Sequence, residues 1–244
     1  MMLCVIAGLC RAEEPGIDYR AIGRQIWING SEKQPYMLVR WMRGRAYADM
    51  GLGFIWYPAG KSGAADESFP KFITFAEAQG ITAPDFLRGV APWADFAAFQ
   101  ADKSDMKKRM MKWLADHLDV QAKYLIAQVH ASLPAMLRHA HKPRHVQACY
   151  ESLTMSEQGM LCLADYLSFM SDGAQPNSPR TGLLQVLEEM REPTPGTSSA
   201  EVVREFCRAA ELVLRRHAET SPNEKSATVM LMAQLKRIRT YARD

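Results

Sequence analysis

The residues best equipped for chemistry cluster in Met50-Gly51-Leu52-Gly53-Phe54-Ile55-Trp56-Tyr57-Pro58, where two glycines stand beside three aromatic rings. Glycine lets a backbone approach a ligand closely, and Trp56 and Tyr57 could offer ring faces to sugars. The competing reading is a buried hairpin whose glycines serve turns. Gly60-Lys61-Ser62 invites comparison with a phosphate loop, which needs four residues between its glycines so that the backbone N–H groups converge. Six residues separate Gly53 from Gly60, and Ile55 stands where the first glycine belongs, so this stretch reads as a solvated turn. Of the six histidines, His130, His139, His141 and His145 are close in sequence, but no HExxH pattern is present. His139 and His141 would diverge on a helix, so we read them as solvated residues in a basic turn with Lys142, Pro143 and Arg144, and we expect no metal site and no cofactor. Cys149, Cys162 and Cys207 form no CxxC pair and have no recognisable nucleophile setting; one bridge plus a free thiol, or three buried thiols, both remain open.

The elements that must position these residues are mostly helical. Apolar side chains recur at three- and four-residue steps through Lys71 to Gln79, Asp105 to Leu118, Val120 to Leu137 (with Pro134 as a kink or restart), Ser156 to Met170, Thr181 to Met190, Glu201 to His217 and Ala227 to Tyr241. A first helix should end near Trp27 to Asn29. From Ile26 to Tyr57 the texture changes to aromatic and β-compatible residues punctuated by glycine, which predicts a small β wing near residues 36–57. Ser171 to Pro179 and Glu192 to Ser199 are loops by composition. The expected fold is therefore mostly α (α+β), with residues 13–244 read as one helical domain carrying the wing.

Composition narrows the function. The 244 residues are 48% hydrophobic and 23% charged, the balance of a globular chain with a sizeable core. Thirty basic against twenty-seven acidic side chains leave a net charge of +3, which gives no basis for phosphate-driven binding, and we expect no nucleic-acid partner. The basic run Lys236-Arg237-Ile238-Arg239 reads as a solvated helix face whose cations suit the helix C-terminus. Met1 to Leu9 is apolar and precedes Cys10-Arg11-Ala12, the pattern of a truncated secretory signal ending at residue 12, which places the chain in the periplasm or outside the cell. No other apolar run reaches the roughly 18–20 residues that a transmembrane helix needs.

Five separated stretches carry a resemblance: Ile26-Trp27-Ile28-Asn29; Gly51 to Pro58; Glu67-Ser68-Phe69-Pro70; Asp165-Tyr166 with Phe169 and Gly173; and Gly182-Leu183-Leu184-Gln185-Val186-Leu187. The ending Arg237 to Tyr241 fits as well. In this order they are similar to a family of largely uncharacterised secreted bacterial proteins, and the glutamate-plus-glycine wing of that family looks like that of phage-type lysozymes. The resemblance implies a lysozyme-like helical domain that recognises a cell-wall glycan such as peptidoglycan. If the chain is active, it implies a glycoside hydrolase or lytic transglycosylase. On that reading Glu32 would be the acid and Asp49 the second carboxylate, with Trp56 and Tyr57 stacking on sugars; Asp165, Tyr166 and Gln185 match further family positions. The chain departs from the pattern where the chemistry should be, since Gly30 stands at the family's glutamate and the histidine between Gly53 and Phe54 is absent. Such losses beside a retained apolar frame imply binding without turnover. The alternative is a non-enzymatic helical interaction protein whose wing is only core. An open cleft at Trp56 and Tyr57 would favour the glycan, and their burial would favour the alternative.

Overall fold

The computed structural model describes residues 16–31, 34–174, 181–220 and 224–242. The predicted signal at residues 1–12 and the candidate acid Glu32 lie outside the described residues. The chain is mostly α with one small antiparallel sheet, as its patterning predicts. Packing divides it into two compact units, Asp18–Tyr124 and Leu125–Asp244.

The first unit holds α1 (Tyr19–Ser31), β1 (Val39–Arg40), β2 (Ala48–Met50), β3 (Phe54–Trp56), α2 (Phe69–Ala78), α3 (Phe96–Ala101), α4 (Met106–Asp116) and the first two turns of α5 (Leu118–His139). Strand order is β1-β2-β3, with Val39 opposite Met50, Asp49 opposite Ile55 and Ala48 opposite Trp56. Side chains alternate across the pleat. Val39, Ala48, Met50, Phe54 and Trp56 therefore share the buried face, and Arg40, Asp49 and Ile55 share the other. Phe54 stacks on Phe72 with ring centroids 4.7 Å apart, and Trp56 meets Phe69 at 4.8 Å, so α2 closes the sheet. Pro70 sits in the first turn of α2, where its missing N–H costs nothing.

The second unit contains the rest of α5, then α6 (Pro143–Thr154), α7 (Glu157–Phe169), α8 (Leu183–Glu189), α9 (Ser199–Glu219) and α10 (Glu224–Ile238). Helix α7 is buried from Gly159 to Tyr166, which explains why that stretch is apolar on every side except at Asp165. Helix α9 starts at a capping box: Ser198 Oγ accepts from Glu201 N at 3.3 Å, and the Glu201 carboxylate accepts from Ser198 N at 2.8 Å. Its predicted stripe, Val202, Val203, Phe206, Ala209, Ala210 and Val213, is buried.

Two sequence expectations are corrected. The supposed basic turn after His141 is the start of α6, because Pro143 occupies a first-turn position where proline initiates a helix. Helix α5 also continues through Pro134, so the proline does not restart it.

Candidate functional site

The wing is built around three polar side chains that hold backbone, two of them buried and the third, Ser68, half-buried. Gly51 adopts φ +54°, and a Cβ there would lie 2.1 Å from Gln121 Oε1. Gln121 is fully buried; its Oε1 accepts from Leu52 N at 3.0 Å, and its Nε2 donates to Leu114 O at 2.6 Å and His117 O at 3.2 Å. The close approach that glycine permits is thus filled by Gln121, not by a ligand. Glu67, also buried, accepts from Tyr57 N at 3.0 Å and Gly63 N at 2.6 Å, while Ser68 Oγ accepts from Ile55 N at 2.9 Å. The Glu67-Ser68-Phe69-Pro70 stretch therefore fastens the loop after β3.

The named site residues of the first unit fare differently. Trp56 is completely buried and donates its indole N–H to Gly89 O at 3.0 Å, so it is a core residue with no face open to a sugar. Tyr57 is half-buried; its hydroxyl donates to Asp66 at 3.1 Å, and its ring meets Tyr47 edge-on at 5.3 Å. Burial, then Asp66, pushes the Tyr57 phenol up to about 12. Asp49 accepts from Arg45 Nη1 at 2.9 and 3.2 Å, with Arg40 Nε at 3.4 Å. It is buried beneath these two arginines and is not free to act across a cleft.

An open depression lies beside this wing, with a cavity volume of about 500 Å³. One wall is β1, with Arg40 and Trp41; the other is the α3–α4 region, with Phe99, Asp102, Lys103, Lys107 and Lys108. Four cationic side chains and one carboxylate line it, and two of the cations, Arg40 and Lys108, are paired with Asp49 at 3.4 Å and Asp105 at 3.1 Å. That carboxylate, Asp102, accepts from Ser104 N and from Trp93 Nε1, both at 2.8 Å, and hydrogen bonds to Ser104 and Trp93 lower it to about 2. Lys107 Nζ donates to Phe99 O at 2.9 Å and lies 4.6 Å from the Phe99 ring centre. Arg40 Nε is buried without a hydrogen-bond acceptor, although Asp49 is near enough for an ion pair. Sequence reading missed this depression because its cations come from β1, the α3–α4 loop and α4, far apart in the chain and unremarkable in each place.

The named residues of the second unit are engaged in holding the fold, Asp165 and Tyr166 fully buried and Gln185 half-buried. Asp165 is wholly buried and takes hydrogen bonds from Arg237 Nε at 3.0 Å to each oxygen, from Arg237 Nη2, and from the Tyr241 hydroxyl at 2.6 Å. Arg237 also donates to Ser168 Oγ at 2.7 Å and stacks on Phe169 at 4.5 Å. Burial opposes the charge of Arg237, but Asp165 outweighs it and raises the guanidinium above its usual value; burial, then Asp165, raises the Tyr241 phenol. Arg237 is therefore no part of a solvated basic face. Tyr166 is buried, with its hydroxyl donating to Thr181 O at 2.7 Å. Gln185 clamps a loop to the start of α8: its Oε1 accepts from Gly182 N at 3.0 Å, and its Nε2 donates to Gly173 O at 3.2 Å.

Helix α6 brings a histidine to one of the three cysteines, for none of which the sequence showed a nucleophile setting. His145 Nε2 lies 3.7 Å from Cys149 Sγ, and His145 Nδ1 lies 3.4 Å from Glu192 Oε2. This is the order of nucleophile, base and orienting carboxylate. The thiol is nevertheless buried, and burial with Glu192 and Glu205 pushes it up to about 12, so it stays protonated and unreactive. Cys162 and Cys207 are likewise free thiols, both raised by burial. The i,i+4 spacing of His145 and Cys149 was the available signal, hidden by reading the start of α6 as a turn.

Comparison of the chain with protein-family models, with curated proteins and with solved structures finds no match.

Proposed function

We propose that this chain is an exported, non-hydrolytic binding protein for an acidic cell-wall glycan, with peptidoglycan as the polymer and the cationic depression beside the wing as its seat. The observation that carries this reading is the cationic lining: Arg40, Lys103, Lys107 and Lys108, with Asp102 as the acidic member. Arg40 is paired with Asp49 and Lys108 with Asp105 at its edge, while Lys103 and Lys107 make no carboxylate pair among the described residues. Peptidoglycan stems carry carboxylates that such a surface attracts, and an open groove admits a strand. Two features argue against turnover. A glycosidase needs a protonated acid in an apolar setting and a second carboxylate across the bond. Asp49 and Glu67, the buried carboxylates of the wing, are both engaged, one by arginines and the other by backbone N–H groups.

The test is retention of purified protein on insoluble peptidoglycan, with chitin as a neutral control. The expected result is saturable, salt-sensitive retention on peptidoglycan, little on chitin and no soluble muropeptide released. Lys103→Gln with Lys108→Gln should weaken retention at least several-fold. Equal retention of that double variant, or release of muropeptides, would overturn the reading.

The interaction-protein alternative is favoured by different observations. Trp56 is closed off, and Val229, Met230 and Met232 stand exposed on α10. Absence of any glycan retention would turn the case to it.

A further inference from the structure

The depression beside the wing has side chains that reach its open space and side chains that only floor it. Its two rings, Trp41 and Phe99, are 4% and 8% exposed. Lys107 Nζ lies 4.6 Å from the Phe99 ring centre, and Trp93 meets Phe99 edge-on at 4.8 Å. A sugar held by stacking needs an open aromatic face, and neither ring offers one. The groups that do reach solvent are the exposed Gln100, Lys103, Ser104 and Lys108 and the half-buried Lys107 and Met111. All of these except Met111 carry hydrogen-bond donors, a lining suited to carboxylate and carbonyl oxygens.

Charge then sets how many carboxylates the depression can take. Asp49 answers Arg40 at 3.4 Å and Asp105 answers Lys108 at 3.1 Å, which leaves Lys103 and Lys107. Asp102 lines the same space and stays ionised, since hydrogen bonds to Ser104 and Trp93 lower it to about 2. Its oxygens are taken, Oδ1 by Ser104 N and Oδ2 by Trp93 Nε1. Asp102 therefore offsets the charge of one lysine, and the charge of one lysine is left over. A ligand with a single carboxylate balances that excess, whereas a second carboxylate in the same place meets the repulsion of Asp102.

We propose that the depression recognises the peptide stem of the cell-wall polymer by its one terminal carboxylate, and not the sugar chain. The proposal rests on the cell-wall reading above and names the part of that polymer which the site holds. Lys103 and Lys107 meet the terminal carboxylate, Gln100 and Ser104 donate to the adjoining amide carbonyls, and Met111 gives small apolar side chains a surface to pack against. A cavity of about 500 Å³ lies within the range for small-molecule sites and has room for a short peptide end.

The test is calorimetric titration of the full chain with soluble probes, run beside retention on insoluble peptidoglycan. The probes are a synthetic stem pentapeptide with a free terminal carboxylate, the same peptide as its terminal amide, and glycan strands stripped of peptide by an amidase. The expected result is saturable binding of the free peptide, at least tenfold weaker binding of the amide, and no binding of the stripped strands. Lys103→Gln with Lys107→Gln should remove the preference for the free peptide, with far-ultraviolet circular dichroism certifying the fold. Lys112→Gln, on α4 but outside the depression, should leave it unchanged. Retention on peptidoglycan with no binding of the free peptide, equal binding of the amide, tighter binding of the stripped strands, or an undiminished preference in the double lysine variant would each overturn this proposal while the cell-wall reading stands. Absence of both retention and peptide binding would overturn the two together.

Discussion

Replacing Asp165 by alanine should unfold the second unit's α7–α10 contact and leave glycan retention, per folded molecule, unchanged. The carboxylate is wholly buried and its partner Arg237 is 14% exposed, so the pair lies in a setting where removing one member strands the other. Alanine deletes the acceptor for Arg237 Nε and Nη2 and for the buried Tyr241 hydroxyl. Breaking such a pair typically costs about 3–5 kcal/mol. Arg237 keeps Ser168 Oγ and the Phe169 ring, which puts the expected loss at the lower end, about 3 kcal/mol, or roughly a hundredfold in the unfolding constant. That is a large share of the about 5–15 kcal/mol available to a typical domain. The assay is urea unfolding followed by far-ultraviolet circular dichroism. Asp165→Leu combined with Arg237→Met should recover most of the loss, because no charge is then left buried. A loss under about 1 kcal/mol, or intact stability with abolished glycan retention, would refute the structural assignment and return Asp165 to a binding role.

Three further outcomes are expected. Gln121→Ala should destabilise the first unit by about 1–3 kcal/mol in the same assay, since Leu52 N–H and the Leu114 carbonyl lose their partner inside the core. The stabilising effect of Asp102 relative to Asp102→Asn should depend on acid pH: its folded value near 2 lies below the roughly 3.9 of an unfolded aspartate, so the difference is full above about pH 4 and fades as pH falls through about 2, which paired acid titrations will read. Cys149 and Cys162 should resist alkylation by iodoacetamide at pH 8 in the folded chain and react only after unfolding, as mass spectrometry would show; rapid labelling of Cys149 would revive its pairing with His145 as a reactive site.

Much of the fold was legible in the sequence because it depends on local periodicity. The apolar stripe of α9, the apolar middle of α7 and the change of texture at the wing each record burial in the order of residues, and backbone geometry converts that order into helix or strand. Helix α6 was less legible, since its charged opening looks like a turn until Pro143 is recognised as an initiator. The resemblance motifs fixed attention on residues that do carry weight, but their type could not say what kind. Trp56, Asp165, Tyr166 and Gln185 would look the same in a binding groove or in a core. Tertiary contact decided that Trp56 faces Phe69 and Gly89, that Asp165 meets an arginine 72 residues away, and that the space beside Gly51 belongs to Gln121. It also gathered Arg40 with Lys103, Lys107 and Lys108, and closed off the rings of Trp41 and Phe99 beside them. Such features depend on which distant side chains arrive at the same place, and local patterning carries no record of that.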